Sequence, residues 1–349
     1  SEPNVCSWLD LVAIGTVADL VPLSDENRIM TTEGLRHIAA RTRPGVAALL
    51  EMAGVKRADK IDERTIGWKI GPRINAPGRL GDAQAALDVL RAPDRYTAQA
   101  AAQVIETINS ERRAAQEKVF EEAVEILGEV GPSSAIVVAG EGWAHGVVGI
   151  IASRLVDLYQ RPAVVIAVDP ATGEGRGSAR SFGGVNLYDA LAACSSLLDR
   201  FGGHAAAAGL TMRSDAIGEL RGQFQMAVTA QDIDPDRDYL CDAELCASEV
   251  NERLALELAT LAPFGKGNEE PLLVSRNLEV SSSRRVGDGT HLKLTLKDVR
   301  GRELSAIAFG MGERDPGSGA RIDVAYVPAV TTWAGRKRLE FSIKEIWDS

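Results

Sequence analysis

A chain of 349 residues, 45% hydrophobic and 25% charged, has a globular composition and is long enough for two or three domains. Its formal net charge of −10 excludes a protein that coats duplex DNA by bulk charge, but not a narrow basic groove on an acidic body, because binding answers to the local field. Cys6, Cys194, Cys241 and Cys246 are too sparse for a disulfide framework, no apolar run reaches the ~18 residues of a membrane span, and a reducing, cytoplasmic setting is expected.

The chain begins Ser1-Glu2-Pro3-Asn4, without a Met start or the marks of a signal peptide, and runs abruptly into apolar sequence, so a missing upstream segment is expected. Residues 9–21 are apolar and small apart from two carboxylates, Asp10 and Asp19. A carboxylate on such rigid backbone suits Mg²⁺ or Mn²⁺; from the local pattern alone a capping Asp is the simpler explanation. Residues 28–53 carry helical apolar spacing. The Gly/Pro-rich stretch 71–80 predicts a stiff turn presenting Arg73, Asn75 and Arg79 with little entropy left to lose on gripping a phosphate. The alternative is surface arginines paired with Asp82 or Glu63. Asp82 is placed to cap a helix reaching Leu90, and residues 97–127, nearly free of Gly and Pro, predict a long charged helix or two in tandem, suited to join domains.

A βαβ pattern follows, with strands at 135–139 and 163–168 and a helix between them, then further strands and helices, which predicts an α/β domain. Gly142 to Gly149 precedes the first of these helices, whose N-terminal amides, with His145, suit an anion; otherwise Trp143 and His145 close a βα loop. In the polar strand 175–181, period-2 alternation puts Ser178 and Arg180 on one side, with Ser181 next to them. A hydroxyl and a planar guanidinium on one face suit a phosphate; a solvated edge strand is the plain alternative. The most specific string is 201–209, where Gly202 and Gly203 can free amides for a phosphate nest and His204 can donate to a phosphate or a base, unless it is a tight turn into an Ala-rich helix. From about 272, five short strands with intervening turns predict a small β-barrel or sandwich. Arg284, Arg285, His291, Lys293, Trp333, Arg336, Lys337 and Arg338 give it basic and aromatic groups for a single strand, although composition alone favours ordinary surface charge. Two-metal chemistry needs several ligands together, and this chain has no Asp-His-His tract and only four scattered histidines.

In this order the strings resemble RecJ-type exonucleases of the DHH phosphoesterase superfamily. Residues 9–23 resemble the fourth motif, 71–80 the Gly-Pro-Arg-x-Asn-Ala-x-Gly-Arg segment, 143–162 and 177–181 the start of a DHHA1 domain, 202–209 its Gly-Gly-His-x-x-Ala-Ala-Gly signature, and 263–268 the start of the OB domain. The resemblance implies an α/β chain: the end of a DHH domain (1–95), a connecting helix (96–130), a DHHA1 domain (131–232) and an OB-like barrel (233–349). It implies a 5′→3′ exonuclease that hydrolyses single-stranded DNA to 5′-mononucleotides in repair and recombination, using Mn²⁺ or Mg²⁺. Asp19 would be a metal ligand with Asp10 as a further candidate, and Arg79, Ser178, Arg180 and His204 would contact the DNA or its 5′ end. Implied partners are single-stranded DNA, a single-strand-binding protein or helicase, and the missing N-terminal DHH segment; no membrane is implied. That segment would carry most metal ligands, so the chain alone is expected to be inactive. Two other readings stay open: a non-catalytic single-strand-binding module, and a DHH-type oligoribonuclease or phosphatase.

Overall fold

The structure, a computed structural model, describes residues 4–128, 134–231, 240–333 and 336–349, with the side chains at 332, 333 and 336 excepted. It divides into two compact units, Ile38–Arg237 and Ser1–His37 with Asp238–Ser349.

The first elements are helices α1 (Leu9–Ala18), α2 (Asp25–Ala40) and α3 (Pro44–Met52), then the single turn α4 (Glu63–Thr65). A π-helical turn at Ile66–Ile70 leads into α5 (Gly71–Leu80), followed by α6 (Gln84–Arg91) and α7 (Arg95–Leu127). Residues 71–80 are therefore a helix rather than the stiff turn their glycines and prolines predict. Pro72 sits in the first turn, where a missing N–H costs nothing. Pro77 removes one helical bond near the far end, but buried Arg73 ties α5 to α7 through Glu106, so tertiary packing outweighs local propensity. α7 is one helix of 33 residues, capped by Asp94, whose carboxylate accepts the Thr97 N–H at 2.8 Å.

The sheet of this unit contains β1 (Ile136–Glu141), β2 (Ala163–Val168), β3 (Glu174–Arg180), β4 (Arg200–Gly203) and β5 (Ala207–Arg213) in the order β1-β2-β3-β5-β4. Only β1 and β2 are parallel, joined by α8 (His145–Tyr159). Strand alternation supplies two cores. Ile136, Val138 and Val165 pack against α8 and the C-terminal half of α7. Val137, Val164, Ile166, Ala179 and Leu210 pack against α9 (Leu187–Ala193) and α10 (Ile217–Thr229). The string 201–209 forms the β4–β5 hairpin, neither an isolated nest nor an Ala-rich helix. The His204 N–H donates to the Ala207 carbonyl at 2.9 Å, because the small residues on both strands let the ladder close.

In the other unit, α1 and the start of α2 accompany a barrel. β6 (Ala243–Glu244) and α11 (Glu252–Leu258) precede β7 (Leu273–Val286), β8 (His291–Lys297), β9 (Glu303–Ala308), β10 (Arg321–Trp333) and β11 (Arg336–Asp348). The order β7-β8-β9-β11-β10 closes through pairing of β10 with β7, giving the five-stranded barrel expected from the turns and alternation. Tyr326 and Phe341 stack at 3.9 Å in its core, and the Tyr326 hydroxyl is satisfied by Ser275 at 2.9 Å. The segment 261–268 holds the chain just after α1: the Leu23 N–H donates to the Lys266 carbonyl at 2.7 Å, and Arg28 donates to the Leu261 carbonyl at 2.5 Å.

Candidate nucleic-acid interface

Residues 176, 178 and 180 of β3 face away from the α9–α10 core, as the period of two requires. On that face Arg180 Nη1 donates to Ser178 Oγ at 2.9 Å and to the Ala179 carbonyl at 2.8 Å. α8 crosses the pair closely: a Cβ on Gly149 would lie 2.9 Å from Arg180 Nη2 and 3.1 Å from Ser178 Oγ. At Gly146, a Cβ would lie 1.8 Å from the Arg79 carbonyl oxygen, and Arg79 Nη1 donates to the Gly146 carbonyl at 3.2 Å. Two glycines, three residues apart on one helix face, thus bring α5 and β3 together against α8.

α7 adds a residue that the sequence reading missed. Arg112 is buried and donates to Asn109 Oδ1 at 3.1 Å and to Gln116 Oε1 at 3.3 Å, on its own helix. Burial, then Arg113 and Arg79, draws the Arg112 guanidinium below its ordinary value; burial and Arg79 do the same to Arg180. Guanidinium groups ranging from buried Arg112 through half-buried Arg180 to exposed Arg79, with no carboxylate bonded to any of them among the described residues, fit an anion, and guanidinium forks match phosphate oxygens.

Other candidate residues fall near this face or away from it. Arg180 pairs with Ala207, and the Ser181 N–H donates to the Ala206 carbonyl, so the Gly202-Gly203-His204 turn lies at the Arg180 end of the sheet, with His204 exposed. The Ser181 hydroxyl is taken up by the Val185 carbonyl at 2.5 Å. His145 is exposed at the first turn of α8 and Asn75 is exposed on α5. Arg73 is not in a presenting turn. It is buried, its fork is filled by Glu106 at 2.6 and 3.2 Å, and its remaining nitrogen donates to the Lys69 carbonyl at 2.8 Å.

The two carboxylates of α1 lie apart. Asp10 is buried in the first turn, with Oδ1 accepting the Leu11 N–H at 2.8 Å, whereas Asp19 is exposed at the C-cap. Nine residues of helix separate them by roughly 13 Å, so they cannot share one ion. Among the described residues no group of three or more His, Cys, Asp or Glu could hold a metal ion. The residues present do not by themselves fit a metal centre.

In the barrel the expected basic residues divide into paired and open ones. Lys293 pairs with Glu340, Arg285 with Glu313 at 3.0 Å, and His291 Nδ1 accepts the Gly310 N–H at 3.0 Å while its ring meets Phe309 edge-on. Arg284, opposite Lys293, is exposed, as are Lys337 and Arg338 at the start of β11. Trp333 ends β10, but its side chain, like that of Arg336, lies outside the described residues.

Residues 132–230 match the DHHA1 domain and residues 241–345 the RecJ OB domain, in the order of the α/β sheet and the barrel. The chain matches a C-terminal portion of RecJ along nearly its whole length. It is 36% identical to the single-stranded-DNA-specific exonuclease RecJ of Bacillus subtilis, over 97% of this chain and 43% of that protein. It is 34% identical to RecJ of Escherichia coli, over 99% of this chain and 62% of that one. Crystal structures of Thermus thermophilus RecJ in complex with Mg²⁺ and with Mn²⁺ each superpose with a TM-score of 0.84 over 99% of this chain. Identities are 29% and 30%, and the chain covers 53% and 50% of those chains. It thus spans about half the length of the relatives it matches.

Proposed function

We propose that this chain is the strand-holding portion of a 5′→3′ exonuclease that degrades single-stranded DNA to 5′-mononucleotides in DNA repair and recombination. The observation that carries this is the set of Arg79, Ser178 and Arg180 around α8, cationic and without a carboxylate partner among the described residues. Its chemistry suits the phosphate at a strand's 5′ end, with His204 and Asn75 at its margin. The barrel, through Arg284, Lys337, Arg338 and Trp333, would supply a second contact to single-stranded DNA. In this reading 1–95 completes a DHH domain, 96–130 connects, 131–232 is DHHA1 and 233–349 is the OB domain. Asp19 would be one ligand to Mn²⁺ or Mg²⁺, the others coming from a DHH segment outside this chain. No hydrolytic step is assigned to the residues of this chain. The setting would be the cytoplasm, with a single-strand-binding protein or a helicase as protein partner; no helix of the described residues is long and apolar enough to cross a membrane.

The test mixes the purified chain with 5′-phosphorylated single strands and Mn²⁺. Binding without cleavage is expected, with affinity for short strands at least tenfold weaker in Arg180→Gln, since a charge-assisted hydrogen bond to phosphate is lost. Unchanged affinity would remove the cluster from the strand's path. Robust Mn²⁺-dependent digestion would show that the chain needs no further ligands. Within a protein carrying the DHH segment, Asp19→Ala is expected to abolish cleavage while leaving strand binding intact.

A further inference from the structure

The buried stripe of α7 runs Ala98, Ala102, Ile105, Asn109, Arg112, Val119, Ala123. Alanines and aliphatics belong on a face packed against other helices; an amide and a guanidinium in its middle do not. Asn109 is 0% and Arg112 8% exposed, yet Asn109 Nδ2 and Arg112 Nε have no hydrogen-bond partner among the described residues. An unpaired donor left in the interior costs about 1–3 kcal/mol, more when it is charged. A buried cation with no carboxylate partner among the described residues is costly unless something else supplies the opposite charge. The position on the stripe indicates where that comes from. Two to three turns further along, Val119 and Ala123 pack with α8 on the face of the sheet from which Ser178 and Arg180 project. The end of α5, with Arg79, rests on the same helix at Gly146. α5 and α7 also meet directly, Arg73 pairing with Glu106 at 2.6 Å six residues before Arg79 on one helix and before Arg112 on the other.

We infer that Arg112, oriented by Asn109, is a further anion-binding guanidinium that reaches the Arg79–Ser178–Arg180 cluster from α7, and that a bound phosphate group joins α5, α7 and β3. This rests on reading that cluster as an anion site. Arg112 Nε and Asn109 Nδ2 are the two donors left for the ligand. The long helix is then fastened to the sheet by the strand end that the sheet holds.

The whole chain is titrated with inorganic phosphate by calorimetry and melted with and without it, against chloride at equal ionic strength. Phosphate is expected to bind and to raise Tm, because a ligand held only by the folded state stabilises it. Arg112→Met should weaken phosphate binding about tenfold or more, yet melt no lower than wild type in the absence of phosphate, since it deletes an unpaired buried charge. Asn109→Asp gives Arg112 an internal counterion in the same volume, so it should melt higher without phosphate and bind phosphate poorly. A purely structural Arg112 would reverse these signs: lower melting for Arg112→Met, with phosphate affinity kept in both variants, overturns the inference. The parent reading is separated by Arg180→Gln. If that variant binds phosphate like wild type, or if wild type binds none, the cluster itself is not an anion site. If Arg180→Gln loses binding while both α7 variants keep it, only the role of Arg112 and Asn109 falls.

Discussion

At the scale of single residues, arginines of one local sequence pattern meet different fates. Arg73 and Arg79 share one ten-residue string, but six positions on a helix point them in different directions. Arg73 is held inside by Glu106, and Arg79 ends the helix exposed beside α8. Removing one partner of a buried ion pair leaves the other unsatisfied. Arg73→Met is therefore expected to lower stability by roughly 2–3 kcal/mol, discounted because Glu106 is partly exposed. Phosphate or strand affinity of the folded fraction should not change. Denaturant unfolding of Arg73→Met, Glu106→Gln and the double variant checks this, since the second substitution should add little to the first. Arg112 could have been suspected from sequence, because Asn109, Arg112 and Gln116 interrupt an otherwise apolar stripe of α7. A polar interruption says that a partner is needed, but names none.

At the scale of elements, α7 was legible because nothing in 33 residues breaks a helix, and Asp94 marks its start. The Asp94 carboxyl is held below its ordinary value of 3.8, first by the Thr97 backbone N–H and then by the Thr97 hydroxyl. A carboxyl that titrates lower in the folded state contributes fully above its unfolded value and loses that contribution as pH falls through its folded value. Asp94→Ala should accordingly melt below wild type at pH 7, and the gap should close below about pH 4. A gap in Tm independent of pH would show that the cap acts without its charge. α5 shows the opposite case: two prolines and two glycines in ten residues argue for a turn, and the packing of Arg73 and Gly146 makes a helix of them. The Gly-Gly-His string was legible as a tight structure, but the hairpin appears only when β5 pairs with both β3 and β4.

At the scale of the molecule, a net charge of −10 and a strand-binding role are compatible if the exposed cations are few and placed together. In the barrel, Lys293 and Arg285 already have carboxylate partners, which leaves Arg284, Lys337 and Arg338 as the more open ones. Reversing Arg284 and Lys337 to Glu together is expected to weaken long single strands while sparing short ones. The salt slope of log K should flatten by roughly 0.7 for each phosphate that the barrel no longer neutralises. Trp333→Ala should cost about 1–3 kcal/mol for long strands if its ring stacks on a base. Affinity measured against oligonucleotide length and salt decides; identical profiles for variants and wild type would leave the barrel a structural domain.

By itself the sequence determined the order and kind of nearly every element, because helical and strand periodicities are local properties of side-chain spacing. It also determined that Ser178 and Arg180 share a face, since alternation along a strand has a fixed period of two. Tertiary structure alone decided which arginines are available. Arg73 and Arg79 read alike in the chain, and what separates them is Glu106 from α7 and Gly146 from α8, 33 and 67 residues away. Ion pairing and desolvation depend on distances between elements, which no local pattern encodes. For the same reason the sequence could not say that Asp10 is buried while Asp19, at the other end of the same helix, is exposed.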